Sequence, residues 1–171
     1  MRKLILSAAV LMGLNFSAQA QGLKNALGLR LGNNDGFGAE VSYQRWLSQK
    51  NRLELDLGWR DSDNYDAVKL TGIYQWVWNI ENGFKWYAGP GLGIGTWNTD
   101  HHDHGHDHDE HHDDSGSFLI ATGDIGIEYN FDFPLQLSFD FRPEIYVSGE
   151  YSDVRDSHYG GDFGLSVRYR F

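Results

Sequence analysis

The residues with the clearest chemical potential lie in one short tract. Residues 100–114 contain seven histidines, seven acidic residues and one glycine, although the whole chain has only eight histidines. Neutral imidazole is a good ligand for Zn²⁺, Ni²⁺ and Cu²⁺, and carboxylates can complete the coordination shell. We therefore predict that this tract binds divalent transition-metal ions. The predicted ligands are His101, His102, His104, His106, His108, His111 and His112, with Asp103, Asp107 and Asp109.

So many donors allow several alternative ligand sets, which predicts moderate affinity and no single coordination geometry. Imidazole titrates near pH ~6.5, so protons should compete with the metal. Two other interpretations stay open: a pH-responsive charge switch made of the same imidazoles, and a hydrated low-complexity segment without any ligand. A hydrated segment needs only Asp, Ser and Gly. The concentration of histidine within residues 101–112 therefore favours metal binding.

Residues arranged for catalysis are not evident. Asp156, Ser157 and His158 are the right types for nucleophilic catalysis, but three sequence neighbours rarely converge as a triad. The sequence has no His-x-Ser on a predicted strand, no glycine-rich phosphate loop before a helix and no cofactor motif. It predicts neither an enzyme nor a required cofactor.

The N-terminus has the pattern of an export signal. Arg2 and Lys3 precede an apolar stretch, and Ala18-Gln19-Ala20 supplies a small-x-small cleavage site. The stretch is too short for a membrane-spanning helix. We expect residues 1–20 to be a Sec-type signal peptide and residues 21–171 to be the exported domain. The chain has no cysteine, so neither a lipid anchor on cysteine nor a disulfide is expected.

The exported part is dominated by apolar residues that alternate with polar ones, the period of a β-strand. Eight such runs have about the length of a tilted strand that crosses a bilayer. They cover residues 26–31, 37–44, 53–60, 68–78, 84–95, 119–129, 135–145 and 163–171. We predict an all-β fold, an eight-stranded antiparallel up-and-down transmembrane β-barrel. Pro90 should cause a bulge, because proline cannot donate to a strand ladder.

Connections and aromatic residues indicate two membrane interfaces. Segments 47–51, 79–83 and 130–134 are short, whereas 32–36, 61–66, 96–117 and 148–160 are mostly longer and more polar. Aromatic residues flank both kinds of connection, which is typical of transmembrane barrels. At the short turns these are Trp46, Trp76, Trp78, Phe84, Trp86, Tyr129, Phe131, Phe133, Tyr169 and Phe171; at the long loops they are Phe37, Trp59, Trp97, Phe118, Tyr146 and Phe163.

The alternating pattern alone also fits a soluble barrel with an apolar interior, but the charges favour a membrane barrel. The predicted inward positions carry seven cations and seven anions, which could pair inside a filled polar lumen. The glycines at 89, 91, 93 and 95 should leave space for the Arg and Tyr side chains opposite. The inward cations are Arg30, Arg60, Lys69, Lys85, Arg142, Arg168 and Arg170; the inward anions are Glu40, Glu54, Asp56, Asp124, Glu128, Asp140 and Glu144.

Three segments carry a family resemblance. Residues 161–171, GDFGLSVRYRF, resemble the C-terminal signal of bacterial outer-membrane β-barrels, and residues 86–95 and 134–144 resemble strands of the small OmpA/OmpX-type barrels. The resemblance implies the outer membrane of a Gram-negative bacterium, contact with the lipid bilayer and its lipopolysaccharide, and recognition of Phe171 by the insertion machinery. It implies no particular activity, because this family has structural, adhesive and enzymatic members.

The predicted outer face is strongly acidic. Besides the acids of 100–114, we assign Asp35, Asp61, Asp63, Asp66, Glu150, Asp153, Asp156 and Asp162 to the loops, against one cation, Arg155. This charge attracts divalent cations, and the chain's net charge of −10 argues against binding nucleic acid. We predict a non-catalytic, non-porin outer-membrane protein that binds metal through residues 100–114. The alternative is a passive structural or adhesive protein with acidic surface loops; no protein partner follows from the sequence.

Overall fold

The chain folds into eight β-strands. The computed structural model describes residues 23–33, 39–62, 65–98, 115–148 and 159–171. The predicted signal peptide, residues 1–20, lies outside this part. No helix long and apolar enough to cross a membrane occurs among the described residues. The strands are β1 Asn25–Gly32, β2 Glu40–Trp46, β3 Asn51–Ser62, β4 Tyr65–Asn79, β5 Phe84–Asn98, β6 Ser115–Asn130, β7 Leu135–Ser148 and β8 Tyr159–Arg170.

The strands form one closed barrel. Each strand pairs with the next in the chain, and antiparallel pairing of β1 with β8 closes the sheet. The predicted fold class is confirmed. Short turns join β2 to β3, β4 to β5 and β6 to β7 at one end of the barrel. The turn before β5 has Asn82 and Gly83 in the left-handed region, at φ values of 49° and 88°, which suits these two residue types. We call this end the turn end and the opposite end the loop end.

The barrel wall is not of even height. β1 and β2 have 8 and 7 residues, whereas β4, β5 and β6 have 15, 15 and 16. The additional residues extend the wall at the loop end. The loop predicted over 61–66 is wrong, because β3 and β4 remain paired as far as Ser62 and Tyr65. Backbone pairing there continues beyond the point where the apolar alternation ends.

The bulge predicted at Pro90 is also wrong. Ile73 lies opposite Gly91 and Trp76 lies opposite Ala88, so β4 and β5 keep one register past the proline. The lost N–H interrupts the ladder only between these two pairs, while Pro90 still lies opposite a residue of β6. The register shift recorded between β6 and β7 lies at Leu119 and Ile120.

The barrel exterior is apolar. Large side chains that face outward are strongly exposed, for example Leu29 at 52%, Leu92 at 64% and Leu165 at 62%. A band of this kind is stable in lipid, not in water. Aromatic side chains encircle the turn end, as predicted, and the rings of Trp78 and Trp86 stack with centroids 4.1 Å apart. Trp46 is an exception, because it lies on the inward face of β2 with its ring 5.6 Å from Arg52 Cζ.

The aromatic ring predicted at the loop end is partly wrong. Trp59 and Phe163 face outward, but Trp97 and Phe118 are buried inside the barrel with Ile120 and Ala67, and Tyr146 packs against them. Phe37 lies outside the described residues. These inward rings lie at even-numbered positions of β6 and β7 and at an odd-numbered position of β5, which are the inward positions of those strands. The loop end of the lumen is therefore apolar beside β4, β5, β6 and β7.

Candidate functional site

The predicted metal tract, residues 100–114, lies outside the described residues, and so does every histidine of the chain. The structure does describe both of its flanks: Asn98 of β5 lies directly opposite Ser115 of β6. Within the described ranges, no group of three or more His, Cys, Asp or Glu residues is arranged to hold a metal ion. Metal binding by the ten predicted ligands stays a prediction.

What the structure does bring together is a buried network of charged side chains in the lumen. Its layer nearest the loop end is organised by Arg30, which is fully buried. Arg30 donates through Nε to Asp140 Oδ1 over 2.9 Å and through Nη1 to Asp162 Oδ2 over 2.5 Å. Nearby, Lys69 Nζ donates to Glu144 Oε1 over 2.9 Å and lies 3.6 Å from Glu40 Oε1.

The middle layer is built around Arg142. Its Nη1 donates to Asp56 Oδ2 over 2.7 Å, its Nη2 to Glu54 Oε1 over 2.6 Å and its Nε to Asp124 Oδ1 over 3.3 Å. Arg168 shares Glu54 Oε1 with it, donating through Nη2 over 2.7 Å. A buried carboxylate is tolerated only when such donors replace its water. The two guanidinium groups supply those donors.

The layer nearest the turn end is organised by Arg52, which is not among the predicted inward cations. Arg52 is fully buried; it donates to Glu128 and Gln75, and its Cζ lies 4.6 Å from the centre of the Tyr87 ring. Asn130 donates to the other oxygen of Glu128 over 2.9 Å. The alternation of β3 places residue 52 on the same face as 54 and 56. Extending the predicted run 53–60 by one residue toward the N-terminus therefore predicts that Arg52 faces inward.

The buried charges of the described residues do not balance. Among the described residues, five cations are buried, Arg30, Arg52, Lys69, Arg142 and Arg168. Eight anions are buried: the seven predicted ones and Asp162, which we had assigned to an acidic loop. Lys85 and Arg170 are only half-buried, at the turn end, and the side chain of Arg60 lies outside the described part. Amides such as Gln44, which donates to Glu54 over 2.6 Å, offset part of the shortage of cations.

The role predicted for the glycine row is wrong at Gly93 and Gly95. A side chain at Gly93 or Gly95 would meet Ile120 or the Phe118 ring, so these glycines accommodate apolar groups. The large polar groups lie over other glycines: Tyr87 lies against Gly126 and Arg30 against Gly164. The reason is the inward apolar cluster at the loop end, which occupies the space that we had assigned to arginine and tyrosine.

This arrangement of buried charges is suited to a structural role. The hydroxyls of Ser42 and Ser138 accept hydrogen bonds from Arg168 over 2.9 and 2.8 Å, and Ser42 also donates to Glu54 over 3.4 Å, so these hydroxyls are part of the arginine network. The buried carboxylates are held by guanidinium and amide donors at hydrogen-bond distance. Asp156, Ser157 and His158 lie outside the described residues. The lumen is a cross-linked core that ties distant strands together.

Comparison with solved structures gives the same architecture. The N-terminal β-barrel domain of OprF from Pseudomonas aeruginosa is similar, with a TM-score of 0.64 and 11% identity, over 87% of this chain and 98% of that one. Neisserial surface protein A gives 0.57 and 11%, over 86% and 95%. OprH from P. aeruginosa, solved in DHPC micelles, gives 0.57 and 15%, over 86% and 99%.

The fold is that of a small outer-membrane β-barrel. The fold and the apolar exterior both agree with the predicted location, an outer membrane. No protein-family model matches the chain, and no curated protein sequence matches it. At this level of identity the structural likeness establishes the fold, while the activity has to be argued from the chain's own residues.

Proposed function

We propose that this chain is an outer-membrane β-barrel protein of a Gram-negative bacterium that binds divalent transition-metal ions at the cell surface through residues 100–114. In this proposal residues 1–20 direct export by the Sec route and are removed. Phe171 is recognised by the insertion machinery, and the apolar exterior contacts the bilayer and its lipopolysaccharide. The protein is neither an enzyme nor a porin, and it requires no cofactor.

The observation that carries the metal proposal is the density of donors between two paired strands. Seven imidazoles and seven carboxylates fall between Asn98 and Ser115, whose backbones lie opposite each other at the ends of β5 and β6. Pairing of the flanks fixes the two ends of this segment. The donors are therefore confined to a small volume, which raises their effective concentration toward a shared ion.

The closed lumen supports the non-porin part of the proposal. An eight-stranded barrel has an interior just wide enough for side chains. Here four arginines, Arg30, Arg52, Arg142 and Arg168, fill it and are at most 2% exposed. Each is hydrogen-bonded to carboxylates from other strands. An ion has no hydrated path through such a core, so captured metal would be buffered or sensed outside.

Calorimetry on the refolded full chain tests the metal proposal. Zn²⁺ and Ni²⁺ are titrated at pH 7.5 and at pH 5.5 into three proteins. These are the wild type, a variant with the seven histidines of 101–112 changed to Gln, and one with Asp103, Asp107 and Asp109 changed to Asn. We expect saturable binding that weakens at pH 5.5, because protons compete for imidazole. Loss of binding should be nearly complete in the Gln variant and partial in the Asn variant.

The Gln variant keeps every carboxylate, so it separates imidazole coordination from attraction of cations to a negative surface. Binding of equal strength in that variant would contradict the proposal, and so would binding that is unaffected by acid. Binding that survives in the Gln variant and disappears at high salt would assign the effect to the acidic surface alone.

The second candidate is a passive structural or adhesive role. The acidic residues of the loops favour it, because an acidic surface stays hydrated and binds basic partners. Adhesion of cells or of vesicles carrying the protein to a cationic surface would measure it. This candidate is favoured if adhesion is equal in the wild type and the Gln variant and calorimetry detects no metal.

A further inference from the structure

The turn end of the barrel has an open groove lined by charged and aromatic side chains. It has a volume of about 590 Å³ and lies between the residues before β1, the turn after β2 and the ends of β5, β6 and β8. Three cations line it, Lys24, Lys85 and Arg170, and none of its lining residues is acidic. We call it the turn-end groove. Its charge is opposite to that of the protein as a whole, which has a net charge of −10.

Lys85 is positioned at the groove by an aromatic ring. Its Nζ lies 4.8 Å from the centre of the Trp46 ring. Its cross-strand neighbour is Glu128, but that carboxylate is engaged by Arg52 through one oxygen and by Asn130 through the other. Lys85 therefore makes no ion pair within the described part of the chain. The ring positions the ammonium group and leaves its charge available to a ligand.

Arg170 provides the second donor. Its Nη2 donates to the carbonyl oxygens of Phe131 and Phe133 over 2.6 and 3.2 Å, which fixes the guanidinium on the turn after β6. Its Nε is buried and has no acceptor among the residues that the structure describes. A guanidinium that is held in place and partly exposed is well suited to an oxyanion, because charge-assisted hydrogen bonds to oxygen are short and strong.

We propose that the turn-end groove binds the phosphate group of a phosphate ester, with Lys85 and Arg170 as its donors and Lys24 at the rim. The groove opens where exposed aromatic rings such as Trp78 and Trp86 encircle the barrel. Aromatic rings of this kind lie at the level of lipid headgroups. The phosphate source is either an anionic phospholipid headgroup or a soluble phosphate, and the two sources are separable by experiment.

The test uses the ¹⁵N-labelled full chain refolded in a maltoside detergent, which carries no phosphate. Inorganic phosphate is titrated in one series and short-chain phosphatidylglycerol in a second. The Trp46 indole N–H and the Arg170 Nε–H are followed by NMR. We expect saturable shifts of both signals. The dissociation constant should rise about tenfold in Lys85→Gln, as expected for the loss of one charge-assisted contact.

Lys50→Gln is the matched control, because it makes the same charge change on an exposed turn residue that does not line the groove. Lys85→Gln strands no carboxylate, so it should fold, and its gel mobility before and after boiling verifies this. Arg170→Gln provides a second, independent variant. Saturation by phosphatidylglycerol alone assigns the ligand to a lipid headgroup, and saturation by both probes shows that phosphate suffices. The proposal would be overturned if neither probe gave saturable binding. Equal affinity in Lys85→Gln and Lys50→Gln would overturn it as well.

Discussion

Replacement of Arg142 by Met tests whether the charged lumen holds the barrel together. Arg142 has five carboxylates within ion-pair distance, at 2.6 Å from Glu54, 2.7 Å from Asp56, 3.3 Å from Asp124, 3.4 Å from Asp140 and 3.7 Å from Glu40. A Met side chain fills much of the volume of the arginine side chain but has no hydrogen-bond donor. Asp56 and Asp124 then keep no ion-pair partner among the described residues, whereas Glu54 keeps Arg168.

The expected loss is large because the stranded charges stay out of water. Breaking a buried ion pair by removing one partner lowers the free energy of unfolding by about 3–5 kcal/mol. We expect about 4 kcal/mol here, since Arg142 is only 2% exposed and three of its contacts are hydrogen bonds. With a urea dependence of about 1–3 kcal/mol per molar, the unfolding midpoint should fall by more than about 1 M.

The assay is urea unfolding in lipid vesicles, followed by tryptophan fluorescence and by gel mobility. Arg45→Met is the matched control, because Arg45 is exposed near the turn end; its effect should stay within about 0.5 kcal/mol. Combining Arg142→Met with Asp56→Asn should recover about 1–3 kcal/mol, the coupling energy of contacting residues. If Arg142→Met costs no more than Arg45→Met, or the second change recovers nothing, the network does not stabilise the fold as argued.

Three further outcomes follow from the fold. In planar bilayers the protein should give no stable single-channel steps, because the lumen is filled; steady conductance of porin size would refute this. Deleting Phe171 should lower the amount of protein inserted in the outer membrane, measured by membrane fractionation, and leave detergent refolding similar; unchanged membrane levels would contradict the role given to this residue. Gly126→Ala should cost about 1–3 kcal/mol in urea unfolding, because the added carbon meets the Tyr87 ring and the backbone. Gly72→Ala, with its nearest neighbour 3.4 Å away, is the control, and equal costs would show that the Tyr87 contact does not matter.

The fold could be predicted from the alternation of apolar and polar residues. The errors arose near the ends of the strands, where we did not extend this alternation. Trp97, Phe118 and Tyr146 were assigned to an interfacial ring because they are aromatic and close to loops. Their positions along β5, β6 and β7 already place them inside. The same argument places Asp162 inside. Alternation of backbone direction is a geometric constraint, whereas residue type at a strand end is only a tendency.

The pairing inside the lumen could not have been predicted in this way. Arg142 and Asp56 meet although 86 residues separate them, because they lie on strands that are not neighbours in the sheet. Alternation shows which side chains face inward, but their partners depend on strand tilt and on the stagger of the closed barrel. The turn-end groove could not be predicted for the same reason, because its cations come from β5, β8 and the residues before β1.

The unequal strand lengths set how far each part of the barrel wall rises above the membrane. A tilted strand needs about 9–11 residues to cross a bilayer, whereas β6 has 16. About five surplus residues at a rise of about 3.3 Å and a tilt near 45° lift the end of the β5–β6 hairpin about 12 Å above the lipid. β1 and β2, with 8 and 7 residues, give no such elevation. Over the described strands the rim of the barrel is therefore oblique, with its high side at β4–β6 and its low side at β1 and β2.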